Sequence, residues 1–310
     1  MNFSQLRSFM TVAETGNVTR ASELLNLVQP AVSRQLRLLE QDVGAELFER
    51  ERHGMTLTEA GKALLVYARR AMLELDRARA EIGGSSGDVA GLVTVGLLPS
   101  TSDLVASALV RSLARDYPGI RTRIAMGYAG DLQRWLEAGD IDVALLYGVE
   151  REAHLQATPL LHEPLWVVGP RSAKLRRERP VTLASLAGKP IVLPSGPHGL
   201  RTLVDHACAV SGVKLTIVAE TNAMSIQKSL VLGGHGLTIL PPIAFAKELA
   251  ARRVTAAPLT EPHIARTIVV ALPTNRSVGR PVRNTVRLLV DCAREAVRRK
   301  RWPEASWIAD

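Results

Sequence analysis

The chain has 310 residues, of which 46% are hydrophobic and 22% charged, the composition of an ordinary globular protein with two or three folding units. No apolar run reaches the roughly 18–20 residues that a membrane span needs, and residues 1–19 lack the features of a signal peptide. The net charge of +9 is uneven, since residues 1–88 hold 11 basic against 12 acidic residues and residues 89–310 hold 28 against 18, so bulk charge alone gives little support for a nucleic-acid partner.

Three short helices are predicted in the first 42 residues. The first ends at Gly16 and has an apolar face formed by Leu6, Phe9, Met10 and Ala13. The second is capped by Asn17 or Thr19 and is expected to bury Ala21, Leu24 and Leu25. The third begins at Gln29-Pro30, runs to about Asp42 and is expected to bury Val32, Leu36 and Leu39.

The outward face of the third helix is polar and basic. Gln29, Ser33 and Arg37 are spaced four apart on it, with Pro30 and Arg34 beside them. Arginine and glutamine can pair with guanine and adenine edges in the major groove, and serine can reach a phosphate. Two helices, a tight turn and such a helix are typical of a helix-turn-helix, although a three-helix bundle with a solvated face would give the same periodicity.

Five runs in this region have the order and spacing of a known domain: LRSF at 6–9, ASELLN at 21–26, QPAVSRQL at 29–36, LFER at 47–50 and LTEAG at 57–61. With them, residues 1–61 resemble the winged helix-turn-helix of LysR-type transcriptional regulators. The resemblance implies a DNA-binding domain of residues 1–58, with the helix-turn-helix at about 18–37. It also implies a wing between Glu49 and Thr56 whose Arg50 and Arg52 approach the minor groove or the backbone of double-stranded DNA. We add Thr19, whose hydroxyl can reach a phosphate.

One position departs from the family pattern. The family usually has serine or threonine before the Gln-Pro pair, and this chain has Val28. Losing a helix cap of this kind costs about 1 kcal/mol, and a phosphate contact from the side chain is lost with it.

A long helix is predicted from Thr58 to about Ile82. Spacings of 4, 3, 4, 3 and 4 form a seam of Leu64, Ala68, Ala71, Leu75, Ala78 and Ile82. Such a seam favours pairing with another helix, although a helix lying on its own domain would give a similar pattern. The resemblance implies that this linker helix, residues 59–82, dimerises antiparallel and that the protein is a dimer of dimers. Residues 83–90, which open with Gly83-Gly84, are predicted to be a flexible hinge.

Residues 91–310 alternate between strands and helices. Strands at 92–98, 121–126 and 141–146 and helices at 102–117 and 132–138 predict one βαβαβ unit. Strands at 165–168, 191–193, 217–220 and 237–240 and helices at 200–211 and 223–232 predict a second, followed by a strand at 267–272 and a helix at 280–299. Two α/β lobes indicate a ligand cleft between them.

The runs DVAL at 142–145 and GHGLTILP at 234–241 are similar to the effector-binding domain of the same family, which has the fold of periplasmic solute-binding proteins. The likeness implies lobe one at about 91–162 and 267–300, lobe two at about 163–266, and two crossover strands between them. The runs GY at 127–128 and ALLY at 144–147 resemble the nitrogen assimilation control branch, and we include Tyr128 and Tyr147 among the effector contacts. Because regulation without a ligand is conceivable in that branch, a C-terminal domain that only oligomerises stays open as an alternative.

Hydroxyl groups cluster where the first strand of lobe one leads into a helix, at Ser100, Thr101 and Ser102. Free N–H groups and the helix dipole at such a place suit a carboxylate or phosphate, although a plain helix cap would use the same residues. We therefore predict a small anionic effector.

Lobe two offers candidate contacts from the other side of the cleft. Ser195, Thr221 and Asn222 follow predicted strands, and His198 and Arg201 could supply positive charge, although a solvated surface explains these two equally well.

Enzyme and transport functions are disfavoured. The seven histidines form no His-x-x-x-His pair, no Gly-x-Ser-x-Gly motif occurs, and Gly233-Gly234-His235-Gly236 is interpreted as a helix end. Cys208 and Cys292 lack metal-ligand spacing and predict free thiols in a cytoplasmic protein without a cofactor. The sequence thus predicts a DNA-binding switch that is not an enzyme, with RNA polymerase as a further candidate partner and no membrane partner.

Overall fold

A computed structural model describes residues 1–51, 54–82, 89–148, 155–275 and 277–308. The chain divides into two compact units, Met1–Ser85 and Ser86–Asp310. Most of the predicted hinge, residues 83–88, and the predicted wing residue Arg52 lie outside the described residues. None of the described helices is both long and apolar enough to cross a membrane.

The first unit consists of three short helices, a hairpin and a long helix. In chain order these are α1 (Phe3–Thr15), α2 (Val18–Leu25), α3 (Gln29–Val43), β1 (Phe48–Glu51), β2 (Gly54–Leu57) and α4 (Glu59–Ile82). Helix α1 begins with a capping box in which Asn2 and Gln5 bond each other's backbone N–H groups. It ends as predicted at Gly16, which has a left-handed φ of 63°.

The core of this unit forms where α1, α2, α3 and the start of α4 meet. Phe9 is fully buried, and its ring lies 5.4 Å from that of Phe48 in β1. The predicted buried face of α3 is confirmed, since Val32, Leu36 and Leu39 are buried. The prediction that Leu24 is buried is wrong, because its side chain is 63% exposed. Ser22 is buried in this helix instead, and its hydroxyl donates a 2.7 Å hydrogen bond to the Thr19 carbonyl.

The second unit contains the remaining elements. They are β3 (Gly91–Leu97), α5 (Ser102–Asp116), β4 (Ile120–Met126), α6 (Ala129–Ala138), β5 (Val143–Tyr147), β6 (Leu155–Pro164), β7 (Trp166–Pro170), β8 (Val181–Thr182), β9 (Pro190–Pro194), α7 (Gly199–Ser211), β10 (Thr216–Thr221), α8 (Met224–Leu232), β11 (Thr238–Leu240), α9 (Ala246–Ala250), β12 (Val254–Thr260), β13 (Ala265–Pro273), α10 (Arg280–Arg298) and β14 (Ser306–Trp307). All of the predicted strands and helices are present, whereas β6, β8, α9, β12 and β14 were not predicted.

Two sheets organise this unit into two lobes. The lobe-one sheet has the order β14-β6-β13-β5-β3-β4, in which β3 pairs parallel with both β4 and β5. In lobe two, β11-β7-β12-β8 form one sheet, and a parallel bridge between Ile191 and Leu237 joins it to the β9–β10 pair. Strands β6 and β13 pair antiparallel along their length and are the two crossover strands that connect the lobes. This arrangement leaves the ends of β3 and β5 facing the starts of α7 and α8.

Candidate functional site

The outward surface of α3 carries the residues predicted to bind DNA. Gln29, Pro30, Arg34 and Arg37 are exposed, and Ser33 is partly exposed. The Gln29 amide nitrogen lies 3.3 Å from the Ser33 hydroxyl, so these two side chains share one helix face. Thr19, in the first turn of α2, is exposed as well. Helix α3 therefore presents a polar and basic surface at the second helix of a helix-turn-helix, where recognition helices contact bases.

The start of α3 has no side-chain cap. Val28 occupies the N-cap position in an extended conformation with φ −80° and ψ 143°, and no side-chain hydrogen bond forms there. This confirms the cap loss predicted from the sequence. Pro30 suits the first turn because it lacks the N–H that such a position would leave unpaired.

The wing is the hairpin of β1 and β2. Arg50 lies in β1 opposite Met55 in β2, and the described residues do not extend to its side chain or to Arg52. Gly61, in the first turn of α4, lies close to the base of the hairpin, because a Cβ atom there would clash with the Leu47 carbonyl oxygen. A groove of about 610 Å³ separates α3 from the hairpin, and it is lined by Val18, Ser33, Leu36, Arg37, Glu40, Glu46, Phe48, Glu49 and Met55.

The seam on α4 divides into two halves. Leu64 and Ala68 pack against the core of their own unit, as the alternative interpretation of the heptad pattern required. Ala71 and Ala78 are exposed and Leu75 is partly exposed, so these three seam residues are accessible to a second helix. Only the second half of the described seam can therefore serve pairing.

A pocket lies between the two lobes of the second unit and brings together four of the ten predicted effector contacts. Ser100, Tyr128 and Tyr147 come from lobe one, and His198 comes from lobe two. The rest of the lining is Leu98, Pro99, Pro194, Leu200, Met224, Gln227, Leu240, Pro241 and Arg266. The enclosed space is about 20 Å³, room for about one water molecule.

Three polar side chains in this pocket, those of Tyr128, Ser100 and His198, accept a hydrogen bond from the protein. Tyr128 accepts a 2.8 Å hydrogen bond from the Met224 backbone N–H, and the Ser100 hydroxyl accepts one of 2.8 Å from Arg266. His198 accepts a 3.2 Å bond at Nδ1 from the Leu200 N–H, so the hydrogen of the neutral ring is on Nε2. Burial, and secondly the charge of Arg266, lower the pKa of His198 to about 4. Its buried Nε2 has no hydrogen-bond partner among the described residues.

Arg266 is the cation nearest this pocket and is itself neutralised. Its Nε lies 2.6 Å from an oxygen of Glu163, the residue opposite it on the paired crossover strands. The other Glu163 oxygen accepts a 2.7 Å hydrogen bond from Trp302. The Arg266 guanidinium also lies 4.5 Å from the centre of the Tyr147 ring. Both members of this ion pair are almost fully buried, so the Arg266 side chain is held in one position beside the pocket.

The other six predicted effector contacts do not line the pocket. Thr101 is fully buried and donates to the Leu98 carbonyl at 3.2 Å, so its hydroxyl serves the helix start. Arg201 forms ion pairs with Asp205 and Glu220, so it offers no free positive charge, contrary to the expectation from sequence. The remaining four are Ser102, Ser195, Thr221 and Asn222.

Arg266 and Glu163 were not among the residues predicted from the sequence. A signal was present, since each is a charged residue in a largely apolar strand at a predicted lobe boundary. Buried charges of this kind are paired as a rule.

A winged helix-turn-helix, a long helix and a two-lobe α/β domain lie in the same chain. This combination defines the class of DNA-binding regulators that carry a second, two-lobe domain. The profile of the bacterial regulatory helix-turn-helix protein, lysR family, matches residues 3–62, and that of the LysR substrate binding domain matches residues 86–297. The chain therefore belongs to the LysR family of DNA-binding transcriptional regulators and is not an enzyme.

Relatives and solved structures agree along nearly the whole chain. The HTH-type transcriptional regulator BbuR of Bordetella bronchiseptica is 31% identical over 302 residues, which cover 96% of this chain and 92% of BbuR. The nitrogen assimilation regulatory protein nac of Klebsiella aerogenes is 29% identical over 245 residues, 79% of either chain. The crystal structure of full-length CbnR complexed with its target DNA has a TM-score of 0.71 at 24% identity and covers 96% of this chain and 100% of that chain.

Proposed function

We propose that a small anion rich in hydrogen-bond acceptors binds between the two lobes and modulates DNA binding by this regulator. The observation that carries the proposal is the buried Nε2–H of His198, which has no hydrogen-bond partner in the part of the chain that the structure describes and lies in the same pocket as the Ser100 and Tyr128 hydroxyls. Each of these groups accepts a bond from the protein and is left with a hydrogen to donate. Unsatisfied buried donors are costly, so a ligand that supplies acceptors would be favoured there.

The ligand must also suit an electrically balanced pocket. Because Glu163 compensates Arg266, the pocket has no free cation among the described residues, and hydrogen bonds would hold the anion. The apolar lining by Leu98, Met224 and Leu240 favours a carboxylate with a short hydrocarbon portion over a bare inorganic ion. Since the present space of about 20 Å³ holds a single water, binding requires the lobes to separate slightly.

A thermal-shift screen of the full chain against short-chain carboxylates, sulfonates and phosphorylated metabolites tests this. We expect at least one carboxylate to raise the melting temperature of the wild type, with a loss of that shift in His198→Phe and Ser100→Ala. The matched control is Ser102→Ala. The Ser102 hydroxyl is two residues after Ser100, donates to the Pro99 carbonyl and lies outside the pocket. A shift that survives both pocket variants would contradict the assignment of the site.

A second candidate function is regulation without an effector, by a C-terminal domain that only oligomerises. The small volume of the pocket favours it. A flat screen, combined with full regulatory activity of the His198→Phe variant, would support this alternative over the first.

For the DNA-binding unit we propose that Gln29, Pro30, Ser33, Arg34 and Arg37 contact the major groove. Thr19 would reach the backbone, and Arg50 and Arg52 would approach the DNA from the wing. The exposure of the α3 face supports the first group. Pairing through the accessible half of the α4 seam would form dimers, which would assemble into a cytoplasmic dimer of dimers, with RNA polymerase as a further partner. Gel shifts with a promoter fragment test the DNA contacts.

A further inference from the structure

Three exposed apolar side chains lie just before α3. Val28 is 70% exposed, Leu24 on α2 is 63% exposed, and Leu27 between them is 40% exposed. Single exposed apolar side chains are common, but these three fall within five consecutive positions. They lie directly before Gln29, so this apolar strip, defined as Leu24, Leu27 and Val28, is continuous in the chain with the proposed DNA-binding face.

The side chains of the strip lie outside the buried core of their own unit. Val28 makes no cap hydrogen bond, and serine, threonine or asparagine at that position would stabilise the helix start. Exposed apolar groups at a helix start therefore need an explanation outside the fold.

The major groove of DNA offers one apolar group, the 5-methyl group of thymine, and recognition helices place their first residues against the base edges. We propose that Val28, flanked by Leu24 and Leu27, reads a thymine methyl group at one position of each half-site. This inference rests on the proposed assignment of α3 as the recognition helix. On this proposal, residue 28 contributes to base specificity through an apolar contact. Valine has no hydroxyl group that could bind a phosphate.

Replacing thymine by uracil tests the idea because it removes only the methyl group. An operator would first be selected with the full-length protein from a random duplex library, and each dT would then be replaced singly by dU. For wild type we expect one dT per half-site at which dU weakens binding about four-fold, the factor that corresponds to one buried methyl group of about 0.8 kcal/mol. Replacement in both half-sites should weaken binding on the order of 15-fold.

The Val28→Ser variant should bind dT and dU operators equally while keeping or raising its melting temperature, because serine can cap α3. The matched control is Val43→Ser, the same change at the last residue of the same helix, where the side chain is 41% exposed. It should keep the four-fold preference for dT. A wild type indifferent to dU at every position, or a Val28→Ser variant with the wild-type preference, would overturn the proposal.

The Arg34→Ala variant distinguishes two ways in which the proposal could be wrong: Val28 does not contact a thymine methyl group, or α3 is not the recognition helix. If Arg34→Ala weakens operator binding while Val28→Ser leaves the dT preference unchanged, α3 stands as the recognition helix and the reading by Val28 is wrong. If Arg34→Ala also binds like wild type, the assignment of α3 falls, and the inference falls with it.

Discussion

Removing the carboxylate of Glu163 should destabilise the second unit strongly. The side chain of Glu163 is fully buried and that of Arg266 is 4% exposed, so Glu163→Ala leaves a guanidinium charge in the interior without its counterion. Breaking a buried ion pair from one side costs about 3–5 kcal/mol. The same change deprives the buried Trp302 N–H of its acceptor.

Tryptophan fluorescence during urea unfolding measures this loss in the intact protein. All four tryptophans, Trp135, Trp166, Trp302 and Trp307, lie in the second unit, so their emission reports on that unit alone. With a dependence of about 3 kcal/mol per molar urea, a loss of 3–5 kcal/mol lowers the midpoint by about 1–1.7 M.

Two further variants test the cause. Glu163→Leu combined with Arg266→Met removes both charges, and an apolar pair of similar volume should recover most of the stability. Glu304→Ala breaks the ion pair with the exposed Arg177 and should shift the midpoint little, since such surface pairs contribute about 0–1 kcal/mol. The reasoning is refuted if Glu163→Ala moves the midpoint no further than Glu304→Ala does.

Four further substitutions probe the other sites. Arg34→Ala and Ser33→Ala should each weaken operator binding in gel shifts by about 1–3 kcal/mol without lowering the melting temperature, and wild-type affinity in both would contradict the recognition face. Leu75→Asp should reduce the mass found by analytical ultracentrifugation, because it places a charge in the accessible half of the α4 seam; an unchanged mass would exclude pairing there. The pKa of His198 is lowered to about 4 in the folded protein, whereas it is about 6.5 in the unfolded chain. As the pH falls from about 6.5 to 4, the unfolded chain therefore binds a proton on this ring before the folded protein does, and the free energy of unfolding decreases. The loss is at most about 3 kcal/mol, less for a partly exposed ring, and urea midpoints of His198→Phe should lack this part of the pH dependence.

Local signals predicted the helix-turn-helix well. Gly16 ends α1 because glycine readily adopts the left-handed backbone conformation found at this C-cap. The spacing of Val32, Leu36 and Leu39 identifies the buried face of α3. Leu24 was misplaced because α2 is only eight residues long, too short for periodicity to define one face. The burial of Ser22 could not be predicted from apolar periodicity, because its side chain is polar and bonds the Thr19 carbonyl of the same helix.

The pocket was only partly predictable because its geometry depends on contacts between distant residues. Ser100, Tyr128 and His198 lie just before helices and Tyr147 is the last residue of β5, which places them at the cleft. Asp205 lies four residues after Arg201 on α7, a spacing at which an ion pair can be expected from the sequence, whereas Glu220 is 19 residues away on another element and could not be inferred. Glu163 and Arg266 are 103 residues apart, and strand pairing alone brings them together.

One contact between the lobes involves Tyr128 of the proposed effector pocket, so an effector whose binding requires the lobes to separate should weaken that contact. Tyr128 of lobe one accepts from the Met224 N–H at the start of α8, and Lys247 of lobe two lies 2.6 Å from Asp103 of lobe one. Hydrogen exchange of the Met224 amide therefore reports lobe opening without a ligand. Lys247→Met should speed that exchange a few-fold, because the exposed ion pair is weak and screened by salt. Tyr128→Phe, which removes the acceptor itself, should speed it more. Unchanged exchange in Lys247→Met, with faster exchange in Tyr128→Phe, would mean that the ion pair has no part in holding the lobes together and that the tyrosine acts alone.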